Sequence, residues 1–423
     1  MNILILSFSD ARGGAAKAAS NQVKLLRKIP CKYNIKFVVA EKTDISHNSL
    51  GPNKLQYLSH LFLRCFSHLL GKLECSRNNV SKKSLNIFSS SHILKNIFLF
   101  DYDVVHFHWV NNDTISIEKL GEFILKNKKK IVITLHDDWF FCGSEHYSLN
   151  SNRYQIGYEE NNDSFVVIDI SKWVYLRKKK FKHLFENENV IFTSPSRWHT
   201  NKAKSSSLLT KCNVQYVPNV IDTNTFFPFD KNTSKEKLGF PDDEFIIAFG
   251  AIDGKKNPLK GFDLLHTVIQ NLANNSYIKK HNKKISFAIF GGNKKFIDFL
   301  FDFKAYHLGK ISSPSTLAKV YSACDLTVVP SRIESFGQVA AESLSCETPV
   351  VCFNNSGVSE IVSQGGGIAV PAFDTNLMTE AIIELIMKTK EERKNIGAIG
   401  RHSIISRYSQ NVVSQYWEDI YNL

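Results

Sequence analysis

The chain has 423 residues, of which 43% are hydrophobic and 22% are charged. This length and balance predict a globular protein of two domains and exclude a disordered or fibrous chain. The formal net charge is +13, but the lysines fall in short scattered runs without a nucleic-acid-binding motif, so we expect no nucleic-acid partner.

The eight cysteines include no CxxC pair, and several fall within apolar strand or helix patterns, which predicts reduced core residues of a cytosolic protein. The opening residues, MNILILSFSDARGG, have too short an apolar run for a signal peptide and predict a first strand. No apolar run approaches the ~20 residues that span a bilayer. We therefore expect a cytoplasmic protein, with a peripheral position on the inner face of the membrane left open.

Strand patterns alternate with helical patterns along almost the whole chain, as in parallel sheets covered by helices. In the first half we predict strands at residues 3–8, 37–40, 104–110, 131–136, 190–194 and 214–217. In the second half we predict strands at 245–249, 285–290, 307–308, 326–329, 350–353 and 368–370. The main helices of the second half are predicted at 260–273, 313–323, 337–345 and 377–387.

The proline-punctuated stretch 218–230 predicts a linker between the two halves. The fold class is therefore α/β, with Rossmann-like domains at 1–218 and 219–405. In the last segment, 406–423, Val412, Tyr416 and Ile420 share one helical face, which predicts a helix that docks back towards the N-terminal domain.

Residues 54–73 have an amphipathic pattern. Their apolar residues recur at helical spacing, and basic residues lie elsewhere around the helix: Lys54, His60, Arg64, His68 and Lys72. Two interpretations stay open, namely a helix that covers the first sheet and a basic amphipathic helix on an anionic membrane surface.

The strongest chemical signal is a pair of carboxylates, Glu334 and Glu342, around a turn that opens a helix. If both were helical, their eight-residue spacing would give ~12 Å of rise, whereas the carboxylates of a retaining glycosidase stand ~5 Å apart. Each carboxylate can instead accept hydroxyl hydrogen bonds from a different sugar of one extended ligand. A phosphate between them would be bound by the backbone amides of the helix start, Ser335, Phe336, Gly337 and Gln338. This arrangement predicts a nucleotide sugar; the alternative is a capping Glu334 with a solvated Glu342.

Lys260 follows a predicted strand and precedes a helix, at the sheet edge where such folds bind ligands. There it can pair with a diphosphate and neutralise a leaving nucleoside diphosphate. The alternative is a surface lysine. Gly13 and Gly14 follow the first strand and let a substrate approach the backbone, although a tight turn explains them equally well.

His136 ends a strand and can hydrogen-bond a sugar hydroxyl or the acceptor. His106 and His108 share one face of an earlier strand, so a metal cluster with His136 is conceivable. The spacing typical of a metal-binding helix is missing, and we expect no metal.

The segment from Ser331 through Glu334 and Gly337 to Glu342 resembles the EX7E signature of retaining glycosyltransferase family 4. Further segments follow in family order over nearly the whole chain: 13–16, 106–109, 134–137, 194–197, 218–222 and 260–263. The resemblance implies a GT-B fold with two parallel sheets facing across a cleft, the acceptor in the first domain and the donor in the second. It assigns Lys260 to the diphosphate, Glu334 to the donor sugar, Glu342 to the ribose and His136 to a donor-sugar hydroxyl, with no metal or cofactor.

The nearest likeness is to bacterial enzymes that extend colanic-acid, capsule or lipopolysaccharide chains. It implies transfer, with retention, from a GDP- or UDP-sugar to a surface polysaccharide or lipid-linked glycan. One departure is Ala251, where the family often has an arginine, and Lys255 or Lys256 could compensate. Two alternatives stay open: a nucleotide-sugar epimerase, and a catalytically silent GT-B subunit that stabilises a partner transferase.

Overall fold

The computed structural model describes residues 1–29, 32–44, 48–73, 81–149, 151–159, 168–250, 257–292 and 295–423; Ala251, Lys255 and Lys256 lie outside these ranges. The chain divides into two units, Met1–Val220 with Val413–Leu423, and Ile221–Val412. The sequence predicts the later boundary at 405/406. The chain stays longer in the second unit because Ile404 and Tyr408 are buried in that unit's core.

The first unit contains a six-stranded parallel sheet in the order β2-β1-β3-β4-β5-β6. Most of its strand residues are buried, since helices cover both faces of such a sheet. The strands are β1 Asn2–Ser9, β2 Asn34–Glu41, β3 Val104–His108, β4 Lys130–Thr134, β5 Val190–Ser194 and β6 Asn213–Tyr216.

The helices of the first unit follow the strands and include the end of the chain. They are α1 Gly14–Arg27, α2 Lys54–Gly71, α3 Ser91–Leu99, α4 Ile117–Lys126, α5 Arg153–Ile156, α6 Ile170–Lys179, α7 Lys182–Phe185, α8 Arg197–Lys204 and, last in the chain, α17 Gln410–Asn422. The terminal helix α17 buries Val413, Trp417 and Ile420 in the same apolar cluster as Ile3 and Ile5 of β1.

The second unit contains a seven-stranded sheet in the order β13-β12-β11-β7-β8-β10-β9. Its strands are parallel except for the edge strand β9, which pairs antiparallel with β10. They are β7 Phe245–Gly250, β8 Ile285–Phe290, β9 Lys295–Leu300, β10 Phe303–Gly309, β11 Leu326–Val329, β12 Val350–Phe353 and β13 Gly367–Val370. Both sheets match the predicted fold class.

The helices of the second unit lie between these strands and after the last one. They are α9 Lys231–Leu238, α10 Phe262–Asn274, α11 Ser276–Lys280, α12 Pro314–Ala323, α13 Gln338–Ser345, α14 Gly357–Val362, α15 Thr375–Met387 and α16 Lys390–Tyr408; a single 3₁₀ turn, Pro258–Lys260, precedes α10. The four helices predicted for this half are confirmed as α10, α12, α13 and α15, with small shifts at their ends.

Strand β9 was missed by the sequence analysis. Its side chains do not alternate between buried and exposed, and Phe296, Ile297 and Phe299 are exposed at the sheet edge. The turn into β10 also lacks the usual signal, because Phe301 takes the positive φ of 55° that hairpin turns commonly give to Gly or Asn.

Helix α2 does not cover the first sheet with its apolar side. Leu55, Phe62 and Leu69 are exposed, whereas His60 and Ser67 are buried. The interpretation of residues 54–73 as a core helix is therefore wrong about which face is buried. Among the helices of the described ranges, none combines the length and the hydropathy needed to cross a bilayer.

Candidate functional site

The order of the strands in the second unit defines a ligand-binding edge. β7 pairs with β8 on one side and with β11 on the other, so the connections that leave β7 and β11 run in opposite directions. Open α/β sheets bind their ligands at such a point, outside the carboxyl ends of the strands. Lys260 lies in the connection after β7, and Glu334 lies in the connection after β11.

Lys260 and Glu334 meet at this edge. The Lys260 Nζ lies 2.6 Å from the Glu334 Oε1, and the Ser331 hydroxyl donates to the same oxygen at 2.9 Å. Both side chains of the ion pair are partly exposed, at 29% for Lys260 and 19% for Glu334. The structure thus brings together two residues that the sequence analysis selected separately.

The two connections are held against each other by backbone and arginine contacts. Arg332 donates its backbone amide to the Leu259 carbonyl at 2.9 Å and its guanidinium to the Pro258 carbonyl at 2.8 Å. Gly261 has a φ of +65°, and a Cβ there would lie 1.9 Å from the Pro330 carbonyl oxygen. Only glycine therefore allows the turn that carries Lys260 to pack against the end of β11.

The start of α13 completes the edge. The N-cap residue is Gly337, which has a φ of +105° and no side chain to cap the helix, and the first-turn amides of a helix point along its axis beyond the N-terminus. The Glu334 amide donates to the Ser356 hydroxyl at 3.2 Å, and its carbonyl accepts from the Gly357 amide at 2.9 Å. These bonds fix the backbone of Glu334 beside a helix N-terminus that favours anions.

The side chains of Ser335 and Phe336 point into the protein. Ser335 is buried, and the Phe336 ring packs edge-on against Tyr408 with 5.3 Å between ring centroids. The donor contacts predicted for Ser335, Phe336 and Gly337 can therefore be made only by their backbone amides.

Glu342 lies in the second turn of α13 and is buried, so the alternative of a solvated helix residue is wrong. Its carboxylate accepts from the Gln338 amide group at 2.9 Å and from the Tyr321 hydroxyl at 3.1 Å. Burial raises the pKa of Tyr321 well above its ordinary value, so this hydroxyl remains a donor.

The first unit has a corresponding switch point between β1 and β3. Gly13 and Gly14 follow the loop after β1, at the start of α1, and Gly13 has a φ of +92°. A Cβ built on either glycine would meet no atom within 4 Å. Packing within the protein therefore does not explain Gly14, and the space beside it is open to a ligand.

His136 follows β4 and is half-buried. Its Nε2 lies 2.9 Å from the Nδ1 of His108, and the two rings stack. Burial lowers the pKa of His136 to about 4, so the ring is neutral at pH 7 and can serve as a hydrogen-bonding group. Among the described residues, no three His, Cys, Asp or Glu side chains come together as a metal-binding group.

The segment that follows His136 is fixed by buried polar contacts that the sequence analysis missed. Asp137 accepts from the Trp109 indole at 2.6 Å and from His146 at 2.8 Å. Asp138 accepts from Lys202 at 2.6 Å and from His199 at 3.1 Å. Burial alone would raise the pKa of Asp138, but Lys202 and His199 lower it to about 2.

Lys178 also supports this segment. In the sequence Lys178 belongs to a short basic run, yet in the structure it is only 1% exposed. Its Nζ donates to the Gly143 carbonyl at 2.8 Å and to the Trp139 carbonyl, and it lies 4.0 Å from the centre of the Trp139 ring. Burial lowers its pKa to about 7. No spacing in the sequence distinguishes this lysine from its exposed neighbours.

Residues 230–403 match the family of glycosyl transferases group 1. A D-inositol 3-phosphate glycosyltransferase of Stackebrandtia nassauensis is 30% identical over 189 residues, which cover 41% of this chain and 41% of that protein. The N-acetyl-α-D-glucosaminyl L-malate synthase of Bacillus anthracis is 25% identical over 326 residues, covering 75% of this chain and 74% of that protein. The alignment thus spans about two fifths of the inositol-phosphate enzymes.

Solved structures of other proteins are similar to this one over the whole chain. Sucrose-phosphate synthase of Thermosynechococcus elongatus has a TM-score of 0.66 and 15% identity, covering 100% of this chain and 98% of that one. Anabaena HepE, solved with UDP-glucose, has a TM-score of 0.62 and 15% identity over 100% of both chains. The protein therefore has the GT-B fold, and residues 230–403 are similar to glycosyl transferases group 1. The predicted resemblance to GT-B glycosyltransferases is confirmed, whereas retention, the kind of donor and the surface-polysaccharide acceptor stay predictions.

Proposed function

We propose that the protein is a retaining glycosyltransferase of the family 4 type, with a GDP- or UDP-sugar as donor. The observation that carries this proposal is the Lys260–Glu334 ion pair at the switch point of the second sheet, beside the start of α13. An ammonium and a helix N-terminus suit a diphosphate, and the adjacent carboxylate suits sugar hydroxyls.

Donor binding would rearrange the ion pair. The diphosphate carries more negative charge than the single Glu334 carboxylate, so Lys260 turns towards the phosphate oxygens and Glu334 accepts from a sugar hydroxyl. As the bond between the anomeric carbon and the phosphate oxygen breaks, Lys260 and the amides of α13 stabilise the leaving nucleoside diphosphate. Glu342, further along the helix, accepts from the ribose hydroxyls.

We propose attack by the acceptor on the same face of the sugar from which the phosphate leaves. The acceptor oxygen bonds to the anomeric carbon while the bond between that carbon and the oxygen of the leaving diphosphate breaks. The proton of the acceptor hydroxyl passes to a phosphate oxygen. Glu334 does not serve as the nucleophile of a double displacement in this proposal, because its carboxylate accepts from the sugar hydroxyl and, at Oε1, from the Ser331 hydroxyl. This account supports retention without a covalent glycosyl-enzyme.

For the acceptor we propose a growing surface polysaccharide or a lipid-linked glycan, used at the cytoplasmic face of the membrane. The names of the relatives indicate small anionic acceptors, inositol 3-phosphate and malate, within the same group. The proposed donor site does not depend on the kind of acceptor, because Lys260, Glu334 and Glu342 all lie in the second unit.

A panel of GDP- and UDP-sugars tests the donor by the rise in melting temperature, and NMR of the product tests the anomeric configuration. We expect one base to stabilise the protein and the product to keep the donor's configuration. An inverted product would refute retention. Donor-sugar conversion without an acceptor would identify an epimerase, and the absence of stabilisation by any nucleotide would favour the silent subunit.

A further inference from the structure

Helix α2 has an exposed apolar face. The helix runs over 18 residues and begins with a capping box, in which the side chains of Asn53 and Gln56 bind each other's backbone amides. Successive residues turn by about 100°, so positions three and four apart form one stripe. The exposed apolar residues follow this spacing: Leu55, Leu58, Phe62, Phe66, Leu69 and, just beyond the helix, Leu73.

The opposite side of α2 binds the first unit through polar side chains, and Leu70 packs against the apolar core beside them. The His60 ring contacts the Asp113 carbonyl at 2.8 Å, and Ser67 is buried. The Arg64 guanidinium pairs with Glu41 at 2.8 Å and lies 4.5 Å from the centre of the Phe8 ring. A surface helix ordinarily shows the reverse orientation, with its apolar stripe towards the core. The polar contacts of His60, Arg64 and Ser67 thus hold the stripe outward.

The charges along α2 are of one sign. Residues 54–73 contain no Asp or Glu. Of the five basic residues noted in the sequence, His60 and Arg64 turn inward, which leaves Lys54, His68 and Lys72 exposed. On a helical wheel these three lie along one border of the apolar stripe. Long basic side chains at such a border can reach anionic head groups while the stripe enters the apolar layer.

We infer that α2 is an interfacial helix that inserts its apolar stripe into an anionic phospholipid surface. An exposed stripe of two phenylalanines and four leucines is costly in water. A second copy of the chain is a less suitable partner for the apolar stripe. In a dimer through α2 each copy would contribute a basic border, and residues 54–73 contain no acidic residue to pair with it. The exposed Lys54 and Lys72 add electrostatic attraction, but insertion of the stripe dominates binding.

The place of α2 gives the inference a consequence for the acceptor. Phe8 and Glu41 lie near the carboxyl ends of β1 and β2, and Asp113 follows β3. Through Arg64 and His60, α2 is therefore attached at the same end of the sheet as Gly13 and Gly14. An acceptor presented from the bilayer would reach this edge, which favours a lipid-linked acceptor. That consequence rests on the proposed glycosyltransferase activity, whereas vesicle binding does not.

Flotation of the full chain with vesicles of phosphatidylcholine alone, or mixed with phosphatidylglycerol, tests the insertion. We expect binding to the mixed vesicles that 0.5 M NaCl weakens and does not abolish. The double variant Leu58→Ser, Phe62→Ser should bind at least tenfold more weakly. The matched control, Leu125→Ser with Ile399→Ser, removes two exposed apolar residues elsewhere and should bind like the parent.

Three results would overturn the inference. They are equal vesicle binding by the double variant and the parent, complete release of the parent by salt, and a parent that is dimeric in light scattering while the double variant is monomeric. Both substituted residues are exposed, so the melting temperature should not fall. Stabilisation by nucleotide should also be unchanged in the double variant. A chain that inserts into vesicles but binds no nucleotide would contradict the proposed function alone.

Discussion

The Lys260 Nζ and the Glu334 Oε1 lie 2.6 Å apart although 74 residues separate them in the chain. Each residue lies in a different connection of the second sheet, and Gly261 allows the two connections to contact each other. Because the pair is partly exposed, it contributes little to stability, about 0–1 kcal/mol. Its arrangement therefore makes more sense as two groups poised for a ligand than as a structural link.

Substitution of Glu334 distinguishes the role of its carboxylate from that of Lys260. Glu334→Gln removes the carboxylate that competes with a diphosphate for Lys260, so affinity for UDP or GDP should stay the same or rise by up to about fivefold, the equivalent of about 1 kcal/mol. Turnover should fall, because the contact with the donor sugar is lost. Isothermal calorimetry and product formation measure the two effects.

Lys260→Ala should lower both turnover and the affinity for nucleotide. In the proposed site its charge stabilises the leaving diphosphate, so turnover should fall by about 100-fold or more, while the affinity for free nucleotide falls less. Lys231→Ala is a matched control, since Lys231 also pairs with a carboxylate, Asp325, within the second unit. If Lys260→Ala and Lys231→Ala both turned over like the parent, the donor site would lie elsewhere.

Glu342 requires a more conservative change. Replacement by Ala would leave the buried Tyr321 hydroxyl without its acceptor, at a cost of about 1–3 kcal/mol in stability. Glu342→Gln retains an acceptor for Tyr321 but loses the charge-assisted bonds to ribose hydroxyls. We expect weaker binding of both UDP and GDP in calorimetry, with a melting temperature close to that of the parent. Unchanged nucleotide affinity would limit Glu342 to a structural role.

The sequence predicted the local parts of this site because they depend on neighbouring residues. The segment from Glu334 to Glu342 combines a strand end, a glycine turn and a helix start within one short stretch, and Lys260 has a similar local context. The ion pair between them could not be predicted, since it depends on β7 and β11 being neighbours in the sheet. Sequence spacing does not contain that information.

Burial was harder to predict than secondary structure. The periodicity of residues 54–73 located the apolar stripe of α2, but not that His60 and Arg64 would turn it outward by contacts with Asp113 and Glu41. Likewise, Lys178 and Lys179 are indistinguishable in the sequence, although one is buried and the other is exposed. In both cases the deciding partners are distant in the chain.

Gly14→Ala tests whether a ligand occupies the open space beside α1. A Cβ at this position meets no protein atom within 4 Å, and alanine favours a helix over glycine, so stability should stay the same or rise by up to about 1 kcal/mol. Activity should nevertheless fall if substrate approaches the backbone there. Thermal melting and turnover together separate these effects.

Gly121→Ala provides the contrast for this prediction. Its Cβ would lie 2.3 Å from the Phe181 ring, so the melting temperature should fall. Full activity of Gly14→Ala at normal stability would show that no ligand approaches this turn.

The buried Lys178 predicts how the stability of the first unit depends on pH. Its pKa is lowered by burial from an ordinary value of 10.5 to about 7 in the folded chain. Between these values the unfolded chain binds a proton that the folded chain does not, so the free energy of unfolding should rise with pH. The slope contributed by Lys178 is at most about 1.4 kcal/mol per pH unit, and it vanishes below about pH 7, where both states are protonated.

Tryptophan fluorescence reports this slope for the first unit alone, because all five tryptophans belong to it: Trp109, Trp139, Trp173, Trp198 and Trp417. We expect urea unfolding between pH 7 and 9 to show a rise for the parent that Lys178→Met lacks. The exposed neighbour gives the control, since Lys179→Met should keep the slope. Equal slopes for the parent and Lys178→Met would mean that the lysine stays charged in the folded chain, held by the carbonyls of Trp139 and Gly143.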